Sequence, residues 1–241
     1  MESWNQREEM NVLIYLIRGG GQNILINTGP PQDLTTINQA WVNFFGYPEA
    51  AIVRTEFEGL DIVPSDKNLV AANIELVDAA DRQVRLRNRL EPVRDSYRYI
   101  LIDCPPALDI LALNALVAAD SVLIPIQCEF FALEGISQLI DTIERVREAF
   151  GGELKIEGVL LTMFDDRTNL TKQVAQDLRE FFGDQVFQTV IPRSVRLAEA
   201  PSFGKPILSY DVRSRGAECY IQLAKEILAH DQRARQTQGA G

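Results

Sequence analysis

From residue 99 the chain alternates short, continuously apolar runs with longer helical segments, and this pattern leaves few architectures open. YILIDCPP (99–106) is an apolar run stopped by Pro105 and Pro106, and ALDILALNALVAA (107–119) has the length and composition of a buried helix. The unit recurs as SVLIPI (121–126) with ALEGISQLIDTIERVREAF (132–150), and as IEGVLLTMF (156–164) with LTKQVAQDLREFF (170–182). VFQTVI (186–191) follows with a loop, then PILSY (206–210) as a further short strand and a helix over 215–229. Strands without polar alternation, separated by helices, must be covered on both faces, which predicts a doubly wound α/β fold with a parallel sheet.

The first 50 residues break this rhythm. NVLIYLI (11–17), the turn Arg18-Gly19-Gly20-Gly21-Gln22 and NILIN (23–27) predict two strands joined as a β-hairpin. A helix is expected over 33–46, with Asp33 as N-cap and Gly46 as stop, and a longer Arg- and Asp-rich helix within 67–92. The predicted organisation is an atypical N-terminal hairpin and helix over 1–50, an α/β domain over 51–230 and a polar, frayed tail over 231–241.

Charge limits the partners. The formal net charge of −10 repels nucleic acid and anionic membrane unless basic residues gather locally. They do so toward the C-terminus. Residues 1–66 carry three basic side chains (Arg7, Arg18, Arg54) against nine acidic ones, whereas residues 193–241 carry eight against five. Cys104, Cys128 and Cys219 are odd in number and far apart, which argues against a disulfide framework or a cysteine zinc site and fits a reducing cytoplasm. No apolar run approaches the roughly 18 residues of a membrane span, and the acidic start (Glu2, Glu8, Glu9) is unlike a signal peptide.

In open parallel sheets ligands bind beyond the carboxyl ends of the strands. Asp103, delivered by YILI, has the form of a Walker B acid that orients Mg²⁺ through water; it could equally cap a helix starting near Ala107.

More of the chain bears on that choice. The block from about 55 to about 229, with DCPP, IPIQCE, ALEG and RLAEAPSFGKP, resembles ParA/Soj-type partition ATPases of the deviant Walker P-loop class. The resemblance implies a P-loop NTPase fold, ATP and Mg²⁺ as ligands, ATP-dependent homodimerisation, non-specific DNA binding and a centromere-binding partner of the ParB type. Carried over position by position, Asp103 matches the Walker B aspartate, and Met163, Asp165 and Pro192 match positions near the adenine base. Arg167 and Arg196 match arginines that hold the DNA backbone. On their own residues, Arg167 also reads as a solvated side chain beside the 170–182 helix, and Arg196 as a partner of Glu199.

The chain departs from that family where chemistry is concentrated. The family's KGGVGKTT should follow the first strand, but the nearest string is RGGGQNIL (18–25), and the first lysine of the chain is Lys67. Because NILIN resumes as a strand where a phosphate loop would open a helix, Gly19 to Gly21 read as a hairpin turn. The family's D-x-D-P-Q-G aligns with ILINTGPPQDLTT (24–36), putting Asn27 and Gly29 where carboxylates belong. The expectation is a chain impaired in binding and hydrolysing ATP, since positioning and electrostatics dominate phosphoryl transfer. The competing enzyme reading is a working ATPase with an unrecognised phosphate loop.

Residues 1–48 carry a second resemblance, to the opening strands of metallo-β-lactamase-fold lactonases. That chemistry needs an H-x-H-x-D-H cluster, and the only histidine, His230, reads as a helix-end residue near terminal carbonyls. A metallohydrolase is therefore disfavoured. Both resemblances together imply a fusion near residues 46–54. Membrane placement of the MinD kind would need a basic amphipathic C-terminal helix with bulky anchors, which the tail after Leu228 lacks.

Overall fold

The computed structural model describes residues 13–18, 22–27, 52–63, 76, 78–104, 109–129, 132–151 and 154–238. The expected helix at 33–46 lies outside them. Among the described residues eight strands run in the order β3-β4-β2-β5-β1-β6-β7-β8. They are β1 (Leu13–Arg18), β2 (Gln22–Asn27), β3 (Val53–Arg54), β4 (Leu60–Val63), β5 (Tyr97–Cys104), β6 (Ser121–Gln127), β7 (Lys155–Phe164) and β8 (Val186–Pro192). The helices are α1 (Arg85–Leu90), α2 (Ile110–Ala118), α3 (Ala132–Phe150), α4 (Asn169–Phe182), α5 (Val195–Glu199), α6 (Ile207–Tyr210) and α7 (Arg215–Gln238).

The chain divides into two compact units, Met1–Ile124 with Ile136–Glu157, and Pro125–Gly135 with Gly158–Gly241. In the first, β5 is flanked by β2 and β1. β2 is parallel to it, with Ile24 opposite Ile100 and Asn27 opposite Asp103. β1 is antiparallel to it, with Leu13 opposite Cys104 and Arg18 opposite Tyr99, and is antiparallel to β6 on its other edge. The expected hairpin is therefore corrected: both strands exist, but β5 lies between them. Two short strands gain more by pairing inside a larger sheet than as an isolated two-stranded ribbon. The short β3, antiparallel to β4, is a second departure from an all-parallel sheet.

The helix after β5 starts later than its sequence pattern, at Ile110. Asp109 is its cap, accepting from Leu111 N at 3.0 Å and Ala112 N at 3.1 Å. Asn114 on α2 is buried and fully used. It donates to Arg82 O (2.6 Å) and Ile110 O (2.8 Å) and accepts from Leu86 N (3.1 Å), which ties the turn before α1 to the helix. Of the long helix expected within 67–92, the described residues (76 and 78–92) are α-helical at Arg85–Leu90, followed by a 3₁₀ segment, Glu91–Ser96, with Pro92 near its N-terminus; the rest lies outside the described residues. Ile136, Leu139, Ile143 and Val146 form the buried stripe of α3 at helical spacing.

In the second unit β7 and β8 are parallel, with Phe164 opposite Pro192. α4 starts at the Thr168 cap and ends at Gly183, whose φ of 55° suits glycine. A register shift in β8 leaves Gln188 N and Thr189 N to the carboxylate of Glu226 on α7, at 2.7 and 3.0 Å. PILSY is corrected from strand to helix: Pro206 O accepts from Ser209 N and Tyr210 N, both at 2.9 Å, closing the turn of α6. The terminal helix is longer than the 215–229 pattern and runs to Gln238, so residues 231–238 are helical rather than frayed. His230 accordingly lies within α7 and not at its end; its ring stacks on Phe187, 5.5 Å between centroids.

Candidate functional site

Asp103 belongs to the first unit and sits one residue before the end of β5. It does not cap a helix, because Asp109 takes that role. Burial pushes its carboxyl above the usual carboxylate range. Its register partners on the two neighbouring strands are Ile14 on β1 and Asn27 on β2.

The flanks of the glycine-rich turn are at the other end of the strand. Arg18 pairs with Tyr99 and Gln22 with Tyr97. Four residues separate Tyr99 from Asp103, about 13 Å along an extended strand. Because β1 runs antiparallel to β5, its C-terminal end and the Asp103 end point in opposite directions.

The second unit gathers most of the remaining sequence-derived positions on two strand-end loops. Met163 near the end of β7 has a φ of 52°, an uncommon conformation for a residue with a side chain, and is 41% exposed. Asp165 turns the chain: Oδ1 accepts from Arg167 N (3.1 Å) and Nε (2.8 Å), and Oδ2 from Nη2 (2.6 Å). These bonds hold the Asp165 carboxyl well below the usual carboxylate range. Thr168 then caps α4. At the end of β8, Pro192 faces Phe164 in register, and Arg193 N donates to Phe164 O at 3.0 Å, which locks the two loops together.

Arg196 on α5 is also paired. Nη1 donates to Glu199 Oε2 at 3.1 Å, and Nε lies 3.6 Å from Asp211 Oδ2. Tyr210 Oη reaches the same Glu199 oxygen at 3.2 Å and its ring stacks on Phe203. The Glu199 partnership is the bland reading of Arg196. Arg167 is solvated, as its bland reading has it, and also has a carboxylate partner, Asp165; the cap of α4 is Thr168.

A cavity of about 330 Å³ opens between these loops, with Arg167, Arg193 and Arg215 among its walls together with Asp165, Asp166, Phe164 and Pro192. Asp165, Arg167 and Pro192 thus come together, whereas Met163 and Arg196 do not line it. Sequence reasoning missed Arg193 and Arg215. Arg193 directly follows a strand and was open to the strand-end rule; Arg215 starts a different element and carries no local signal.

The family model described as AAA domain matches residues 24–156. The chromosome partitioning protein ParA of Caulobacter vibrioides is 52% identical over 192 residues, 79% of this chain and 72% of that protein. The sporulation initiation inhibitor protein Soj of Bacillus subtilis is 55% identical over 179 residues, 74% of this chain and 71% of its own. Among solved structures, cobyrinic acid a,c-diamide synthase of Mycobacterium smegmatis with bound ADP and magnesium superposes with a TM-score of 0.72 at 29% identity, covering 88% of this chain and 83% of that one.

Proposed function

The chain belongs to the ParA/Soj family of chromosome-partitioning ATPases, with a P-loop NTPase-like α/β fold, and from that premise we propose that it is a DNA-associated partition protein with a defective nucleotide site. One observation supports the second half: β1 occupies the place between β5 and β6 in the antiparallel sense, so its last residue, Arg18, stands opposite Tyr99 at the end of β5 away from Asp103. A triphosphate with magnesium needs a lysine or a cradle of amides near that aspartate. The residues that flank Asp103 in the sheet do not fit such a group, and no lysine precedes Lys67 in the chain.

Met163, Asp165 and Pro192, all in the second unit, are matched to adenine positions by the family resemblance alone. A start resembling the opening strands of metallo-β-lactamase-fold lactonases, in place of the phosphate-loop strand and helix, accounts for the defective nucleotide site.

The proposed DNA contacts are Arg167, on the loop after β7, and Arg196, on α5 after β8. Guanidinium groups there neutralise backbone phosphates without reading bases, which gives sequence-independent, salt-sensitive association. Both arginines are surface ion pairs, which water screens, so a phosphate competes with their carboxylates. The partners proposed are duplex DNA, a ParB-type centromere-binding protein and a second copy of the chain, at the nucleoid. No helix among the described residues is long and apolar enough to cross a membrane.

Calorimetric titration with ATP and Mg²⁺ tests the nucleotide half. Absence of heat is expected. Saturable heat with turnover that Asp103→Ala abolishes would restore the working ATPase.

A further inference from the structure

Resting on the DNA-association reading above, we infer that Arg193 and Arg215 complete, with Arg167, a seat for one phosphodiester of the DNA backbone, and that Asp165 occupies Arg167 until that phosphate displaces it.

The three arginines reach one cavity from three elements: the loop after β7, the end of β8 and the first turn of α7. They bring three positive charges against the two carboxylates of Asp165 and Asp166. Asp165 is committed to Arg167 through both oxygens. Among the described residues Arg193 has one ion-pair contact, a long one to Glu129 at 3.7 Å, and it is 57% exposed. Among the described residues no carboxylate forms an ion pair with Arg215. Two guanidinium forks therefore face the cavity with donors that lack a strong acceptor, inside a protein whose overall charge is −10.

A tetrahedral anion with several oxygens suits such forks, because each oxygen takes charge-assisted bonds and the planar guanidinium matches pairs of them. Asp165 is the built-in competitor. It presents Arg167 with two anionic oxygens, the same acceptor geometry that a phosphate offers. Arg167 is 81% exposed, so the pair is screened by water, and a phosphate that bonds Arg193 and Arg215 as well outcompetes a carboxylate whose side-chain hydrogen bonds go to Arg167.

Retention of the full chain on random-sequence duplex DNA, followed across a salt series, tests this with Arg193→Ala, Arg215→Ala and Asp165→Asn. Each arginine variant is expected to weaken binding by roughly 5–10-fold at low salt and to lower the salt slope by about one. Asp165→Asn is expected to tighten binding, because it removes the competitor. The arginines are exposed, so unchanged thermal melts accompany these effects.

If the wild-type chain binds and Arg167→Ala weakens it while Arg193→Ala and Arg215→Ala match the wild type, the seat is overturned and the DNA reading stands. If the wild-type chain does not bind at all, the underlying reading falls and the seat falls with it. Unchanged or weaker binding by Asp165→Asn overturns the competitor role. Displacement of the duplex by adenosine but not by inorganic phosphate assigns the cavity to a base and overturns the proposal.

Discussion

Arg18, the last residue of β1, pairs with Tyr99 near the start of β5, while Leu13 at the other end of β1 pairs with Cys104, next to Asp103. The strand that stands beside Asp103, the proposed Walker B aspartate, is thus reversed relative to one that could deliver a phosphate loop there. The expected outcome is no ATPase activity above background in purified protein. Asp103→Asn should leave ATP binding and turnover as low as in the wild type. A large loss of nucleotide affinity in that variant would contradict the assignment.

Arg167 and Arg196 should act together on DNA. The double variant Arg167→Ala with Arg196→Ala is expected to lose retention on duplex DNA at low salt, with a salt slope reduced by about two. Equal losses are expected on unrelated sequences, because backbone contacts carry no base readout. A double variant retained like the wild type removes both residues from the interface.

Tyr97 gives a pH signature. Its hydroxyl donates to Asp61 Oδ2 at 3.0 Å, and both residues are buried. Burial, then the bond to Asp61 and that residue's charge, push the phenol from 10.0 up to about 12, against a pull from Arg54. The folded chain keeps a proton that the unfolded chain releases near pH 10, so this contribution is full below pH 10 and is lost as the pH rises toward 12. Tyr97→Phe should flatten that alkaline decline and cost about 1–3 kcal/mol at neutral pH, because a buried carboxylate loses its donor. Denaturant unfolding at pH 8, 10 and 11.5 reads both effects; an unaltered alkaline slope would count against the bond.

Gly158 on β7 should resist substitution. A Cβ there would lie 2.6 Å from Phe187 Cε2 and 3.0 Å from Gln185 O. Phe187 is almost wholly buried and stacked on His230, so it has little room to move. Gly158→Ala is expected to destabilise by about 1–3 kcal/mol through overpacking. Chemical denaturation that finds a midpoint equal to the wild type would refute the contact.

Much of the second half of the chain was legible in its letters. VLLTMF and VFQTVI are strands, and LTKQVAQDLREFF is a helix, because burial on both faces and a 3.6-residue stripe leave direct marks on residue order. Asp103 was placed at a strand end for the same reason. PILSY misled: its apolar, β-prone composition suits a strand, yet Pro206 presents a carbonyl that closes a helical turn. His230 looked like a helix end because the polar tail after it hid the continuation of α7 to Gln238.

The order of residues by itself determined that an α/β layer forms, which strand delivers Asp103, and that no lysine is available before Lys67. Only the tertiary structure decided where β1 and β2 pair, because an apolar strand carries no mark of its partner or its direction; the ladder it completes settles both. For the same reason Arg193 and Arg215 came together with Arg167 only through folding, since their shared surface lies in the packing of three elements and not in any spacing along the chain.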